Sequence, residues 1–520
     1  MDGRAVSQFD KASQSGADEE FVKGLGFISA TTLVMGSMIG SGVFIVAADM
    51  ARIVDSPALL IAAWLVAGFM TVVAALSYGE LAAMMPKAGG QYVYLREALG
   101  PLWGFLYGWT LFLVIQCGTI AAVGVAFGKF LGVFFPSVSS THWIVHLWKV
   151  PPIHLGPMVL GNMEVGLNTQ NLVAIAIILL LSTVNIFGVK TGAIVQVVFT
   201  TAKVAGLLGL ILLGVWAGST TEALHANFGA NFWLHAGLGV LHKIPVGVSG
   251  ATALVSTITV IAVAQVGSLF SADAWNNVTF TAGEVRNPQR NLPLSLAIGT
   301  GAVIFIYIAV NFIYLLVLPL WGDPASATVL GRGIQYASED RVATAVMQQI
   351  MGQSGAKLMA FAILVSTFGC NNGLILAGSR VYYAMARDGL FFHSVGRLHP
   401  RYKTPHLSLM VQAIWASVLC LSGSYGQLLD YTIFAVLLFY ILTLVGLFVL
   451  RRTRPDAPRP YRALGYPWLP AIYIVMALFI DVVLLLYKPQ YTWPGLVIVL
   501  LGIPVYFVWH RKKGDVLEER

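Results

Sequence analysis

The feature that most constrains this chain is a series of long apolar segments. A helix needs about 18 or more mostly apolar residues to cross the hydrocarbon core of a bilayer, and such windows cover most of the sequence. They fall near residues 27–54, 57–84, 101–135, 168–188, 191–218, 250–283, 291–320, 354–384, 405–423, 427–450, 466–487 and 491–510. The pattern predicts twelve transmembrane helices in an all-α, polytopic membrane protein. The membrane domain is then 27–510, between tails at 1–26 and 511–520.

Composition excludes a soluble globule. Only 10% of the 520 residues are charged and 57% are hydrophobic, whereas soluble domains carry about 25% charged residues. The net charge of +8 would suit a nucleic-acid-binding protein. However, the basic residues stand in short clusters between apolar segments, which is how membrane topology is encoded. We therefore expect no nucleic-acid partner.

The basic clusters also predict which side of the membrane each end occupies. If the N-terminus is inside, the inner loops hold dense clusters, such as the one between Arg380 and Lys403 and the one between Arg451 and Arg462. The outer loops then hold only scattered Lys and Arg, so both termini are expected in the cytoplasm. Residues 1–26 lack the basic region and cleavage site of a signal peptide. The expected location is the cell membrane.

The first apolar segment is broken in its middle by Gly40-Ser41-Gly42. Glycine costs about 1 kcal/mol in a helix interior, and unwound backbone at membrane depth is tolerated only where it is buried in protein or lines a cavity. The break would expose free N–H groups of one half-helix and free carbonyls of the other. These can bind a carboxylate and an ammonium, the two ends of an amino acid. The alternative is that the small residues form a helix-packing face.

A second break interrupts the sixth segment, where residues 266–277 turn polar at mid-depth. Matching breaks five segments apart predict two five-helix repeats, at about 27–218 and 250–450, with the substrate between the breaks. The repeats are inverted because the first segment runs outward and the sixth runs inward. Helices 11 and 12, at about 466–510, are peripheral.

Four motifs in the right order carry a family resemblance. They are Met38-Ile39-Gly40-Ser41-Gly42-Val43-Phe44, Tyr78-Gly79-Glu80-Leu81 with Pro86 to Tyr92, Trp275-Asn276-Asn277 through Arg290, and Ser379-Arg380 through Leu390. The chain resembles the amino acid–polyamine–organocation superfamily, and within it the bacterial relatives of the L-type amino acid transporters. The resemblance implies a leucine-transporter-like five-plus-five fold. It also implies sodium-independent transport of L-amino acids by alternating access, as exchange or facilitated uptake, without a cofactor.

The resemblance also implies a substrate site at the two breaks. The amides of Gly40, Ser41 and Gly42 would bind the carboxylate, and carbonyls near Met38 or Ile39 and in the second break would accept from the ammonium. An aromatic ring would close over the substrate, and two residues would line the side-chain pocket. The expected residues of the second break are Phe270 (the closing ring), Ser271, Ala272, Asp273, Trp275 and Asn276 (the last two lining the pocket).

Lys203 is the only basic residue deep in a segment. A lysine at the bilayer centre costs about 2.5–3.5 kcal/mol even on mild scales, so it is expected to face the bundle interior, the alternative being that it snorkels. The resemblance implies that its ammonium replaces the cation of sodium-coupled relatives and bridges the first and eighth segments. Its partners would be carbonyls around Ser37 and Gly40, with the hydroxyls of Ser366 and Thr367.

Several acidic residues leave alternatives open. Asp273 can contact the ammonium, carry a proton or act as the N-cap of the next half-helix, and we favour the cap because polar residues follow at first-turn positions. Glu80 and Glu284, at the cytoplasmic ends of segments, favour ion pairs with arginines such as Arg380 and Arg387 over a proton relay.

Other classes of protein fit less well. An enzyme would need clustered nucleophiles, bases or metal ligands, and a channel would need a continuous polar pore; the segments show neither. A proton-coupled amino acid or polyamine symporter is the runner-up, although a polyamine would require several pocket carboxylates and only Asp273 is offered. Residues 136–167 contain no cysteine, which predicts no disulfide-linked heavy subunit.

Overall fold

A computed structural model describes residues 21, 23–151, 153–155, 158–160, 163–233, 250–421 and 425–518. Most of the predicted N-terminal tail therefore lies outside the described residues. The described chain is helical almost throughout, which confirms the predicted fold class. Ten of its helices are long and apolar enough to span a membrane, and two more, Ser256–Ser271 and His406–Cys420, are apolar but shorter. Each of the twelve predicted windows matches one of them, and the exact count of twelve spans stays a prediction.

The α-helices are α1 (Phe27–Met38), α2 (Gly42–Val54), α3 (Pro57–Met84), α4 (Gln91–Leu99), α5 (Pro101–Thr110), α6 (Gln116–Leu131), α7 (Thr169–Ile186), α8 (Val189–Leu213), α9 (Thr221–Asn227), α10 (Gly250–Ser271), α11 (Asn277–Phe280), α12 (Pro288–Val317), α13 (Val329–Arg332), α14 (Val342–Arg387), α15 (His406–Cys420), α16 (Tyr425–Thr453), α17 (Trp468–Tyr487) and α18 (Pro489–Glu518). Single π-helical turns, Leu111–Ile115 and Gly214–Gly218, follow α5 and α8. Short 3₁₀ helices lie at Gly229–Asn231, Ala282–Glu284, Ser338–Asp340 and His393–Gly396.

Both predicted breaks are present. Helix α1 ends at Met38, and Ile39 leaves helical geometry with φ −75° and ψ 85° before α2 begins at Gly42. Helix α10 ends at Ser271, and the chain resumes helical structure only at Asn277. Within that gap Ala274 has φ 65°, a left-handed conformation that is costly for a residue with a side chain and that persists only where the surroundings hold it.

Four pairs of helices at equivalent places in the two predicted repeats pack against each other. Helix α2 packs against α10, α3 along α12, α6 against α14 and α7 against α15. These are the first and sixth, second and seventh, third and eighth, and fourth and ninth segments. Two repeats related by a two-fold axis would bring equivalent helices together near that axis, so the pairing is the one that an inverted repeat produces.

The loop between α6 and α7 contains strands that the sequence analysis did not predict. Strands β1 (Trp143–Val150) and β4 (Met163–Asn168) pair antiparallel, and so do β2 (Ile153–Leu155) and β3 (Met158–Leu160). The search for long apolar windows passes over such short segments, although β1 is rich in the aromatic and β-branched residues that favour strands.

Candidate functional site

The two breaks contact each other directly. A Cβ atom added at Gly42 would lie 2.2 Å from Ser271 Oγ and 2.9 Å from Ser271 Cα. These separations are far below van der Waals contact, so only glycine lets the start of α2 approach the end of α10 this closely. The structure thus brings the two predicted halves of the site together.

The amides of the first break are not equivalent. The N–H of Gly40 donates to Met38 O at 2.8 Å, within the break itself. Ser41 is the N-cap of α2 and Gly42 its first residue. The first N–H groups of a helix have no acceptor in a preceding turn, and the positive end of the helix dipole lies there. Of the three predicted amides, those of Ser41 and Gly42 are therefore the better placed to bind an anion.

Lys203 lies against the broken segment. Its side chain is 2% exposed, and its Nζ donates to Gly36 O and Ile39 O, each at 2.8 Å. The ammonium therefore crosslinks α8 to the last turn of α1 and to the unwound residue that follows. It occupies the interior position expected of a buried cation rather than the helix end that snorkelling would require.

The two predicted hydroxyls behave differently. Ser366 Oγ, on α14, lies 3.1 Å from Ile39 O and 3.2 Å from Gly40 O, so it shares one carbonyl, that of Ile39, with the lysine. Thr367 instead donates within its own helix, to Ile363 O and Leu364 O. Only the serine hydroxyl thus donates to the first segment.

The carbonyls of the first break that were expected to accept a substrate ammonium are already in use. Met38 O accepts from Tyr307 Oη at 2.9 Å and from the N–H of Gly40, and Ile39 O accepts from both Lys203 and Ser366. A carbonyl oxygen has two lone pairs, so neither has one left. The sequence analysis missed Tyr307 because an aromatic residue inside an apolar segment carries no signal of this role.

A cavity of about 330 Å³ lies beside the second break. Of the predicted residues, Asp273 and Asn276 line it; the first-break residues are not part of its lining. The π-helical turn after α5 contributes Leu111 and Ile115, and π turns often mark functional sites. The full lining is Gln91, Tyr107, Leu111, Ile115, Gln116, Thr119, Asp273, Ala274, Asn276, Asn277, Phe280, Leu374, Val436 and Tyr440. Most of these residues come from segments that the breaks do not mark, which is why the sequence analysis missed them.

Asp273 is the one acidic residue in that lining. Its Oδ1 accepts from Tyr440 Oη on α16 at 2.5 Å. The predicted N-cap role is wrong, because α11 begins at Asn277 with Asn276 as its N-cap and without a side-chain cap bond. The carboxylate instead faces a neighbouring helix because the left-handed turn at Ala274 separates it from α11.

The other residues of the second break have mixed roles. Trp275 is 2% exposed and packs edge-on against Tyr78 with ring centroids 4.8 Å apart. It lines a second cavity of about 280 Å³, which Asp273 also borders. Asn276 Nδ2 donates to Gln91 Oε1 at 3.0 Å.

The remaining predicted residues of this break are buried. Phe270 is 8% and Ala272 0% exposed. Ser271 Oγ donates to Gly267 O, one turn back on its own helix. They shape the break, and none of the three lines the first cavity.

Glu80 and Glu284 both form ion pairs, Glu284 with the predicted Arg380 and Glu80 with an arginine that the sequence analysis did not name. Glu80, fully buried, accepts two bonds from Arg451, at 2.9 and 2.6 Å, and one from the N–H of Ala463 at 2.7 Å. Glu284 and Arg380 pair at 3.0 Å, and both are buried. Each carboxylate therefore has a guanidinium beside it, which favours a structural or gating contact.

Known proteins resemble this chain over nearly its whole length. A family model described as amino acid permease matches residues 25–508. The serine/threonine exchanger SteT of Bacillus subtilis (strain 168) is 28% identical over 507 residues, which are 96% of this chain and 99% of that protein. The human large neutral amino acids transporter small subunit 2 is 29% identical over 508 residues, 96% of this chain and 84% of that protein.

A third relative is also an amino acid transporter by name. The b(0,+)-type amino acid transporter 1 of Mus musculus is 27% identical over 491 residues, 94% of this chain and 88% of that protein. The resemblance drawn from the four motifs is confirmed over nearly the whole length. The chain belongs to the amino acid permease family of multi-pass membrane transporters.

Proposed function

We propose that this protein exchanges L-amino acids across the cell membrane, without sodium, by alternating access. The observation that carries the proposal is the ammonium of Lys203 between Gly36 O and Ile39 O. A positive charge is thereby built into the broken helix, at the place where a coupled cation would have to bind. Because this charge is covalently attached, no free cation is required.

The substrate carboxylate binds at the N-terminus of α2. The amides of Ser41 and Gly42 lie at the positive end of that helix, and helix N-termini attract carboxylates through the helix dipole. The close approach of Gly42 to Ser271 supports a carboxylate site at the junction of both breaks.

The substrate ammonium binds the carboxylate of Asp273. The oxygens of Met38 and Ile39 are already saturated, whereas a carboxylate has about four lone-pair positions and Tyr440 donates to one of its oxygens. Hydrogen bonds between two charged groups are roughly twice as strong as neutral ones. Asp273 therefore replaces the backbone carbonyls as the main acceptor.

The cavity indicates the class of side chain. Apart from Asp273, every residue that lines it is uncharged. Once the single acidic residue is paired with the α-ammonium, the remaining lining is neutral. We therefore infer that the substrates are uncharged amino acids, which Phe270 closes over when the outer path shuts. Serine and threonine, and large neutral amino acids, appear in the names of relatives.

Topology and assembly complete the proposal. The basic clusters place both termini in the cytoplasm, with the repeats at about 27–218 and 250–450. One relative is named a small subunit. Residues 136–167 contain no cysteine, so we propose that no disulfide joins this chain to a heavy subunit.

The test is uptake of a panel of labelled amino acids into liposomes, with and without amino acid inside. Exchange predicts fast uptake only into preloaded liposomes, for neutral substrates. Uptake into empty liposomes that follows an imposed pH gradient would instead establish the proton-coupled alternative. Turnover of a substrate without flux would indicate an enzyme.

A further inference from the structure

Helix α17 buries an acidic residue that the substrate site does not use. Asp481 is 5% exposed, and within the described part of the chain neither of its carboxylate oxygens has a hydrogen-bond donor. Glu80 and Glu284, which are also buried, and the partly buried Asp273 each accept at least one bond. Asp481 is thus a buried carboxyl group that packs without a partner.

The helices around Asp481 offer it no counter-charge. Helix α17 packs against α3, α10, α16 and α18. On its own helix, the titratable Tyr473 stands eight residues before Asp481. The charged residues on α3 and α16 are Glu80, which is paired, Asp430, Arg451 and Arg452. Asp430 is itself acidic, and the two arginines stand at the opposite end of α16 from it. On α18 the charged residues begin at Arg511, 22 positions after the first residue of that helix.

The position along α17 reinforces this isolation. Asp481 stands six residues before the end of α17 at Tyr487. Lys488 follows that end and is about 10 Å along the axis from Asp481, at 1.5 Å per residue. Two further titratable residues lie near Tyr473. They are Asp273, in the second break, and Tyr440, on α16, and all three residues line the second cavity.

An ionised carboxylate without a partner is costly in the interior of a membrane protein. The cost is so large that such a group takes up a proton instead of remaining charged. We propose that Asp481 is a proton-binding site, separate from the substrate cavity, and that its proton must be bound for α17 to pack as the structure shows. The proton stays on the carboxyl group through the exchange cycle, so no net proton transport accompanies exchange.

The site can influence transport because α17 touches the moving parts. It contacts α10, which ends in the second break, and α16, which carries Tyr440. Loss of the proton places a charge in these interfaces, and hydration or displacement of α17 must follow. Exchange therefore slows as the pH rises high enough to remove the proton, whatever amino acid is carried.

The test compares the wild-type protein with Asp481→Asn, which mimics the neutral carboxyl group. Exchange of a labelled amino acid in preloaded liposomes is measured at equal internal and external pH, between about pH 5 and pH 9, a range that reaches the titration of buried carboxyl groups. The matched control is Asp456→Asn, at an exposed position of a cytoplasmic loop. We expect a several-fold fall in rate with rising pH in the wild type and the control. In Asp481→Asn the rate should stay at its acidic value throughout.

Two outcomes would overturn the proposal. One is a wild-type rate independent of pH, and the other is a pH profile in Asp481→Asn identical to that of the wild type. If Asp481→Asn does not fold, Asp481→Glu keeps a protonatable group and must still show the fall. Absence of exchange in every protein at every pH would refute the proposed function instead, so the two failures are distinguishable.

Discussion

Replacement of Lys203 by alanine removes the cation that holds the broken helix. Gly36 O loses its side-chain donor, while Ile39 O keeps the bond from Ser366. A buried polar group left without its partner costs about 1–3 kcal/mol. The carbonyl of Gly36 is the group that loses its side-chain partner. Because this contact joins α8 to the first break, the cost applies chiefly to the state in which they are docked. A shift of about 1–3 kcal/mol between two states changes their ratio about 5- to 150-fold.

The expected result is a fall in exchange rate of that order with a smaller change in substrate affinity, because the lysine touches the helix and not the ligand. The assay measures binding and exchange in the same purified protein, with its thermal unfolding temperature as a control. Lys357→Ala, at an exposed position on α14, is the matched variant and should behave as the wild type. Exchange near the wild-type rate in a stable Lys203→Ala protein would refute the reasoning. Loss of binding without loss of stability would mean that the lysine contacts the substrate.

Three further substitutions test other parts of the site. Gly42→Ala should abolish substrate binding, because the added Cβ would lie 2.2 Å from Ser271 Oγ. The control Gly301→Ala has open space around the added Cβ and should transport normally, and equal binding in the two variants would contradict the amide site. Asp273→Asn should weaken binding of amino acids at least tenfold, about 1.4 kcal/mol, in a titration of binding; an unchanged affinity would exclude the carboxylate as the ammonium acceptor. Glu80→Gln should lower the free energy of unfolding by about 3–5 kcal/mol, the cost of breaking a buried ion pair, here with Arg451. An unaltered melting temperature would show that the pair contributes nothing to the stability of the fold.

The parts of the site that the sequence predicted are those with a local signature. Apolar windows and glycines are consecutive in the chain, so both breaks could be placed within a few residues. The interior position of Lys203 could also be predicted, since a charge at membrane depth is costly enough to require a partner inside the protein. The sequence did not reveal that both the lysine and Ser366 donate to Ile39 O from residues far along the chain.

Contacts made by residues that cost little free energy to place in a membrane helix could not be predicted. A tyrosine costs little in an apolar segment, so nothing in the sequence marks Tyr307 as the donor to Met38 O or Tyr440 as the donor to Asp273. Those two bonds join residues 269 and 167 positions apart. The N-cap role assigned to Asp273 was wrong for a related reason, since the left-handed turn at Ala274 is set by the surrounding packing.

The most direct test of the central claim is the exchange rate of the wild-type protein when all sodium is replaced by choline on both sides of the membrane. If the ammonium of Lys203 holds the broken helix in place of a free cation, labelled amino acid should exchange at the same rate in both media. A several-fold loss of exchange in choline, restored by adding sodium, would show that a free cation is required and would contradict the account.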